Sequence, residues 1–465
     1  MEKFDVVVIG GGPGGYPAAI RAAQLGASVA LIEKELLGGV CLNWGCIPTK
    51  TLIASADLYA RLRRAGDWGL KAAEAGFDYA ALSRRKEAVV ERLRSGVAQL
   101  LKAHGVAVYS GAGAFLSRQR LAVRSREGET ALEAGQVIVA SGSESVMPAF
   151  IPRHERIVDS RGLLAEPALP ASLIVLGGGV IGCEFACLAA QLGASVTVVE
   201  LLEDILTILD PDVRREVRRH MEQRLGIRVL TGQRLERIAA DAGGVSGRCG
   251  EETLRAERLL VAVGRRPVTA GLELERAGLA PNAAGFIETD EFCRTRAAGV
   301  YAVGDVTGGP QFAHAATAQG LCAAENLRGP RRRRAETVVP ACIYTAPEVG
   351  SVGLTEQAAR EKALPVRAGR FAFAALGRAL AAGEPEGFVK WVAHAETDQL
   401  LGAQAVGPHA TELIAEAALA IRAELTAEEL GRTVHCHPTF AEAWMEAAHA
   451  LHGRCVHAPP RRAGR

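Results

Sequence analysis

The sequence has little that reads as a leader or a membrane anchor, and no strong excess of one charge. Its opening, MEKFDVVVIGGG, runs from one lysine straight into a buried-strand pattern. A signal peptide needs a longer apolar core and a small-residue cleavage site. The most apolar run, LIVLGGGVIGC from Leu173, stops at Glu184 and is glycine-rich at its centre, so no segment reads as a membrane span. Lys and Arg number 54 against 52 Asp and Glu, and a net charge of +2 predicts no attraction to nucleic acid. A disulfide scaffold is missing as well: ten cysteines scattered over 465 residues do not follow the pattern of small secreted chains. Together these absences predict a cytoplasmic protein with neither a membrane nor a nucleic acid for a partner. In that reducing setting a cysteine pair reads as catalytic, redox-sensing or metal-binding rather than as a staple.

What is present is a soluble globular composition, 49% apolar and 23% charged, over a length that suggests more than one core. It also contains a repeat. VVVIGGGPGGYPAAIRAAQLGASVALIEK from Val6 aligns without a gap to LIVLGGGVIGCEFACLAAQLGASVTVVEL from Leu173. Each reads as a buried strand, a GxGxxG turn, an amphipathic helix and a second strand ending in Glu33 or Glu200. Gly10 and Gly177 permit the tight turn, Gly12 and Gly179 admit a pyrophosphate against the backbone, and Gly15 and Gly182 let helix pack on strand. The helix N-terminus offers free N–H groups and a positive dipole end to phosphate. A carboxylate at Glu33 or Glu200 can accept a ribose 2′-hydroxyl, and at Glu200 it would repel the 2′-phosphate of NADP, so NAD is favoured there. The chain therefore reads as having two dinucleotide sites.

Between the motifs, a helical Arg- and Ala-rich stretch from about Tyr59 to His104 precedes strands in VAVYSGAGAF and VIVASGS. LLVAVGRRP and YAVGDV each read as a buried strand ending in a turn, PRRRR at 330–334 as a solvated connection, and APPRRAGR as a frayed tail. The region from about Val338 mixes strands such as GFVKWVAH with helices such as ATELIAEAALAIRA.

GGVCLNWGCIPTK, residues 38–50, places Cys41 and Cys46 five apart. Were they bridged, a regular helix would hold them about 7.5 Å apart along its axis, beyond the usual Cα separation of about 4.4–6.8 Å. The segment would then have to unwind, and Gly45 is best able to permit it. Pro48 suits the first turn of a following helix, whose N-terminus lowers the pKa of a nearby thiol. Spacing alone leaves open both a redox pair and two unrelated buried cysteines. His435 and His437 in HCHPTFAE likewise read either as an acid–base site or as two metal ligands on one strand face, without an evident third ligand.

GGVCLNWGCIPTK resembles the redox-active disulfide motif of the class I pyridine nucleotide–disulfide oxidoreductases. The resemblance covers nearly the whole chain in order: the first GxGxxG, the cysteine pair, VIVASGS, the second GxGxxG, VAVGRRP, YAVGDV, YTAPEVGSVGLTE and HCHPTFAE. It implies an α/β fold with two Rossmann-like domains, one for FAD and one for NAD, and an α+β C-terminal dimerisation domain. The divisions would fall at 1–145 (FAD), 146–270 (NAD), 271–337 (a central segment completing the FAD region) and 338–465 (interface). By position in the motifs, Gly10, Gly12, Gly14, Gly15, Glu33, Lys50, Gly113, Asp305 and Ala313 would meet FAD. Gly177, Gly178, Gly179, Val180, Ile181, Glu200, Gly264 and Arg265 would meet NAD, with Glu184 on that side as the ion-pair partner of Lys50. No resident metal is implied.

The resemblance also implies chemistry. Cys41 and Cys46 form a disulfide that relays electrons, His437 is the general base and Glu442 orients it. Protein-bound dihydrolipoamide would give a proton to His437 and attack Cys41, leaving Cys46 as the thiolate nearer FAD, and NAD+ would become NADH. The active unit is a homodimer in which His437 serves the partner's disulfide, and the substrate is borne by a 2-oxoacid dehydrogenase, acetoin or glycine cleavage system. Rivals on the same scaffold are glutathione-reductase-like enzymes, opposed by Glu200 and Gly182, and mercuric reductases, whose C-terminal cysteine pair is here the single Cys455. A redox-silent flavoprotein subunit is opposed by the joint presence of Cys41, Cys46, His437 and Glu442. Departures from the common pattern are Trp44 between the cysteines, Ser141, and Gln319 where Glu is usual. Cys183, Cys187, Cys249, Cys293, Cys322, Cys342 and Cys436 read as small core or unpatterned residues.

Overall fold

The computed structural model describes residues 1–71, 75–327 and 333–459. Positions 330–332 of the expected solvated connection, and 460–465 of the expected tail, lie outside the described residues. The chain forms two compact units.

The first unit comprises Met1–Ala149, Asp159–Ala168 and Val263–Thr337. It begins with β1 (Glu2–Ile9), α1 (Gly15–Gln24) and β2 (Val29–Glu33), then α2 (Gly39–Trp44), α3 (Cys46–Arg63) and α4 (Tyr79–Ala103). Four strands follow: β3 (Ala107–Ser110), β4 (Ala112–Ser117), β5 (Arg120–Ser125) and β6 (Gly128–Val139). The sheet order is β3-β2-β1-β6-β5-β4, and the strand Val300–Ala302 also pairs β6. β1 is parallel to both β2 and β6, whereas β4, β5 and β6 run antiparallel. Val6 to Ile9 are buried on both faces, as the run of β-branched residues requires of a central parallel strand. The expected helical stretch from Tyr59 to His104 is two helices, broken by the turn at Ala65–Trp68. Asp78 restarts the second by accepting the Ala81 N–H.

The second unit comprises Phe150–Val158, Leu169–Ala262 and Val338–Arg465. Its parallel sheet has the order Arg228–Leu230, Ser195–Val199, Ser172–Leu176, Arg258–Val261, Ile157–Val158. The helix Val180–Gln191 follows the second glycine turn. A five-stranded antiparallel sheet takes the order Ala341–Ile343, Val349–Gly353, Leu400–Val406, Phe388–His394, Val366–Ala372. The helices Ala410–Arg422 and Glu442–Leu451 pack on it. Trp391 and Trp444, both wholly buried, meet there with ring centroids 4.7 Å apart. Such a pair adds roughly 1 kcal/mol beyond its area burial. Each indole is also anchored, Trp391 Nε1 to the Trp444 carbonyl and Trp444 Nε1 to that of Leu413, both at 3.1 Å. That packing fixes the helix whose first residue is Glu442.

Candidate functional site

The two glycine turns are built alike. Gly10 has φ +104° and Gly177 φ +111°. A Cβ on Gly15 would stand 1.8 Å from the Gly10 carbonyl oxygen, and one on Gly182 1.9 Å from that of Gly177. Helix and strand can approach so closely only without side chains. Each acid then grips its own turn. Glu33 accepts the Gly11 and Glu35 N–H groups, both at 2.7 Å; Glu200 accepts those of Gly178 at 2.5 Å and Leu202 at 2.7 Å. The carboxylates keep further lone pairs for ribose hydroxyls. Above the turns there is room: a Cβ on Gly179 meets nothing within 4 Å, and one on Gly12 only Gly39 at 3.8 Å. A pyrophosphate at either turn fits these residues. Gly14 lies against Val303 and Ala316, and Val180 and Ile181 open the helix after the second turn.

The cysteine segment lies against the first turn. Gly38 N–H donates to the Gly11 carbonyl at 2.8 Å, and a Cβ on Gly39 would stand 2.7 Å from the Cα of Gly12. Cys41 belongs to α2, Cys46 opens α3, and Gly45 between them (φ −131°, ψ −113°) breaks the helical run. The thiols are hydrogen-bonded to one another. The hydrogen bond with Cys46, and then burial, push the Cys41 thiol far up, while the Lys50 charge one turn into α3 pulls the other way. The expected lowering by the helix N-terminus therefore does not govern Cys41, which sits in the helix before the break. Asn43, buried beside it, donates through Nδ2 to the carbonyls of Leu37 and Gly39, both at 3.0 Å, and accepts from Arg94 at 3.3 Å. Trp44 has the Arg161 guanidinium 3.8 Å from its ring centre, and that guanidinium also pairs with Glu35 at 3.0 Å.

Further residues of the first unit gather around Asp305, which lies in the turn Gly304–Thr307. Its Oδ2 accepts the hydroxyl of Ser143. Arg265 donates to the Ser143 hydroxyl and carbonyl, both at 2.7 Å, and lies 3.9 Å from Asp305. The strand Arg265–Pro267 pairs with Ser143–Ser145. Arg265, placed by its motif on the NAD side, thus contacts residues of the first unit, with Gly264 just before it at φ +129°. Gln319 accepts the Gly304 N–H at 2.7 Å, a bond that an amide makes as well as the usual carboxylate. Ala313 opens the helix Ala313–Leu327, and Gly113 lies in β4 over Ile9 and Ile32.

In the second unit His437 Nδ1 meets Glu442 Oε1 at 2.8 Å, and Glu442 Oε2 accepts the Thr439 N–H at 2.7 Å. Burial would raise the Glu442 carboxyl, but the Thr439 N–H and the His437 ring hold it below its ordinary value. The His437 side chain is 76% exposed, so Nε2 is the nitrogen left to exchange a proton. His435 is different. It lies in a loop rather than on a strand, its side chain is buried, and both nitrogens are occupied, by Glu416 at 2.7 Å and the Thr433 carbonyl at 2.9 Å. The HxH pair therefore does not act as two ligands. Glu184 is buried and accepts the Tyr344 N–H at 2.9 Å.

Residues 4–320 match the pyridine nucleotide-disulphide oxidoreductase family, and residues 339–448 match the dimerisation domain of the same name. The chain belongs to the pyridine nucleotide-disulphide oxidoreductases. This oxidoreductase is 43% identical to a dihydrolipoyl dehydrogenase of Thermus scotoductus, over 98% of this chain and 99% of that one. It is 40% identical to that of Chlamydia muridarum, over 99% of both. Among solved structures, LpdA from Mycobacterium tuberculosis matches with a TM-score of 0.90 at 30% identity, covering 97% of this chain and 100% of that one. The HOCl-induced flavoprotein disulfide reductase RclA from Escherichia coli matches with a TM-score of 0.86 at 29% identity, covering 96% and 99%. The oxidoreductase uses FAD and NAD, and its dimerisation domain supports a homodimer. Among the described residues no helix is long and apolar enough to cross a membrane.

Sequence reasoning missed Asn43, Ser143 and Arg161 as parts of the site. Asn43 could have been flagged as a polar residue inside the cysteine motif. Ser143 and Arg161 had no local signal, since their partners lie more than a hundred positions away.

Proposed function

We propose that this oxidoreductase is a dihydrolipoyl dehydrogenase, oxidising protein-bound dihydrolipoamide with NAD+ as acceptor. The observation that carries the reading is the full-length identity of 39–43% to several proteins of that name. The Cys41–Cys46 pair and the His437–Glu442 pair lend it support. FAD and NAD, when bound, would supply the redox chemistry by which the dithiol's electron pair leaves as a hydride. The chain's own groups do the rest. Gly10, Gly12, Gly14, Gly15, Glu33, Gly113, Asp305 and Ala313 hold FAD. Gly177 to Ile181 and Glu200 hold NAD, and Glu200 disfavours a 2′-phosphate.

His437, held by Glu442, takes the proton of a substrate thiol at Nε2. The resulting thiolate attacks Cys41 of the disulfide, and the Cys46 thiolate leaves. The second substrate thiol then attacks the substrate sulfur of the mixed disulfide and displaces Cys41, which leaves with that thiol's proton. In the homodimer His437 serves the disulfide of the partner chain. By the family pattern Lys50 would serve FAD, and Glu184, Gly264 and Arg265 the NAD side. The lipoyl group belongs to a 2-oxoacid dehydrogenase, acetoin or glycine cleavage system in the cytoplasm.

The test is to mix purified protein with dihydrolipoamide and NAD+ and to follow NADH. Turnover that NADP+ does not support is the expected result. Reduction of a glutathione-type disulfide by NADPH, with no response to dihydrolipoamide, overturns the substrate and leaves the family standing.

A further inference from the structure

Two cysteines outside the redox motif meet in space. Cys293 and Cys322 show no spacing signature, yet the fold brings their thiols into hydrogen-bonding contact. Cys293 lies in the turn before the strand Val300–Ala302, in a left-handed conformation (φ +63°), and its carbonyl accepts the Ala302 N–H at 3.1 Å. Cys322 lies on the helix Ala313–Leu327. The two residues are 3% and 0% exposed, in the core that also contains Ala18, Tyr301 and Val303.

Asn326 ties the same two segments. Its Nδ2 donates to the carbonyl of Phe292 at 3.4 Å, to the Cys322 sulfur at 3.4 Å and to the Arg333 carbonyl at 2.8 Å. The Cys322 thiol donates to that Arg333 carbonyl at 3.1 Å. The Cys293 hydrogen bond, helped by the Arg333 charge, lowers the Cys322 thiol, and the same bond together with burial raises Cys293. Because the two thiols touch, a sulfur that is oxidised first has the other within reach to resolve it.

We propose that Cys293 and Cys322 are a second dithiol, distinct from Cys41 and Cys46, that hydrogen peroxide oxidises to an intramolecular disulfide. A small uncharged peroxide is the oxidant whose size suits a pair with so little exposure. The Cys322 thiolate attacks one peroxide oxygen and the O–O bond breaks. Cys322 becomes a sulfenic acid, and the departing hydroxide takes up the proton that the thiol released, leaving as water. The Cys293 sulfur then displaces the sulfenic oxygen, forming the S–S bond, and its proton goes out in a second water. The two thiols lose two electrons and the peroxide gains them.

The bond would close a loop holding Asp305 and Ala313 and fasten the helix Ala313–Leu327 at its back. That helix braces the first glycine turn: a Cβ on Gly320 would stand 2.2 Å from the Gly14 carbonyl, and the Thr317 hydroxyl donates to the Pro13 carbonyl at 2.9 Å. Oxidation therefore stiffens the support of that turn, whatever substrate the enzyme serves.

The experiment uses the full chain with Cys41→Ser and Cys46→Ser, so that the redox pair cannot respond. After hydrogen peroxide treatment, remaining thiols are alkylated under denaturing conditions and the peptides are mapped by mass spectrometry. A linked peptide joining Cys293 to Cys322 is expected, with two thiols per chain lost and restored by dithiothreitol. The melting temperature should rise on the order of 5 °C. Adding Cys293→Ser should abolish both the link and the rise. If Cys293 and Cys322 are both alkylated while exposed Cys436 is oxidised, or if Cys322 links elsewhere, the inference is wrong. The mapping leaves Cys293 and Cys322 unchanged, so its outcome does not depend on a substitution at either of them.

Discussion

Asn43 offers the sharpest test of how the cysteine segment is held. It is 7% exposed and turns its amide N–H groups towards the Leu37 and Gly39 carbonyls, leaving its oxygen to Arg94. The Gly39 carbonyl also sits at the start of α2, where the helix can satisfy it, so the bond to Leu37 is the harder one to replace. Asn43→Ala leaves that carbonyl without its donor, at about 1–3 kcal/mol. Lost side-chain packing adds to this, and about 2–3 kcal/mol in all is the expected fall in unfolding free energy. Asn43→Asp has nearly the same shape but no N–H to donate. Its carboxylate would face two carbonyl oxygens at contact distance, so it should destabilise by more than Ala despite a stronger attraction to Arg94. Guanidinium unfolding of the three proteins, followed by circular dichroism and by flavin release, measures both consequences. The order Asn, then Ala, then Asp is required. If Asp is as stable as Asn, the amide does not pin this loop by donation and the reasoning fails.

Three further outcomes follow from the site. Glu442→Gln should cut kcat/KM for dihydrolipoamide by about 10²–10³, because the ring loses the anion that fixes its tautomer and stabilises its protonated form; a loss below tenfold would show that Glu442 does not orient His437. Glu200→Ala should raise the KM for NAD+ by about 10–100-fold and narrow the preference over NADP+, since a charged acceptor is worth about 1.5–3 kcal/mol per lost pair; an unchanged ratio of the two cofactors' kcat/KM would remove Glu200 from nucleotide selection. His435 has its pKa raised above the ordinary 6.5, first by the Glu416 hydrogen bond. Stability from a raised group is complete below the unfolded value and is lost as pH rises through the folded one. Glu416→Gln should therefore destabilise more at about pH 6 than at about pH 9 in parallel urea titrations, and an equal effect at both would sink the assignment.

How much of this was legible in the sequence depends on the range of the interaction. The glycine turns were, because their constraints are local. Gly15 must approach Gly10 and Gly182 must approach Gly177, five positions apart, so steric need leaves its mark within one motif. The cysteine pair was legible only in part: the five-residue spacing demanded a break that Gly45 supplies, while the chemistry came from resemblance. Arg85 or Arg94 on α4 gives no sign in the sequence that it reaches back to Thr51 or Asn43. The same is true of Arg161 over Trp44, whose bulk between the cysteines becomes intelligible once a guanidinium is seen to cover it. Cys293 and Cys322 are the extreme case, since two cysteines 29 positions apart carry no periodic signal.

The acids at the ends of the second strands show why a local motif can still mislead about its own purpose. Read as a ribose acceptor alone, Glu33 or Glu200 would be needed only when nucleotide is present. The structure gives each carboxylate two backbone N–H donors, one from its glycine turn and one from the chain just beyond it. The acid therefore shapes the empty turn as well as greeting the ligand. One oxygen is already fixed by the turn, so the ribose meets an acceptor whose position is set in advance, and little ordering is left for binding to do. A shorter acid at either position would have to give up the turn to reach the ribose, or the ribose to keep the turn. That geometric demand, more than charge, is why a glutamate stands at the same point in both halves of the repeat.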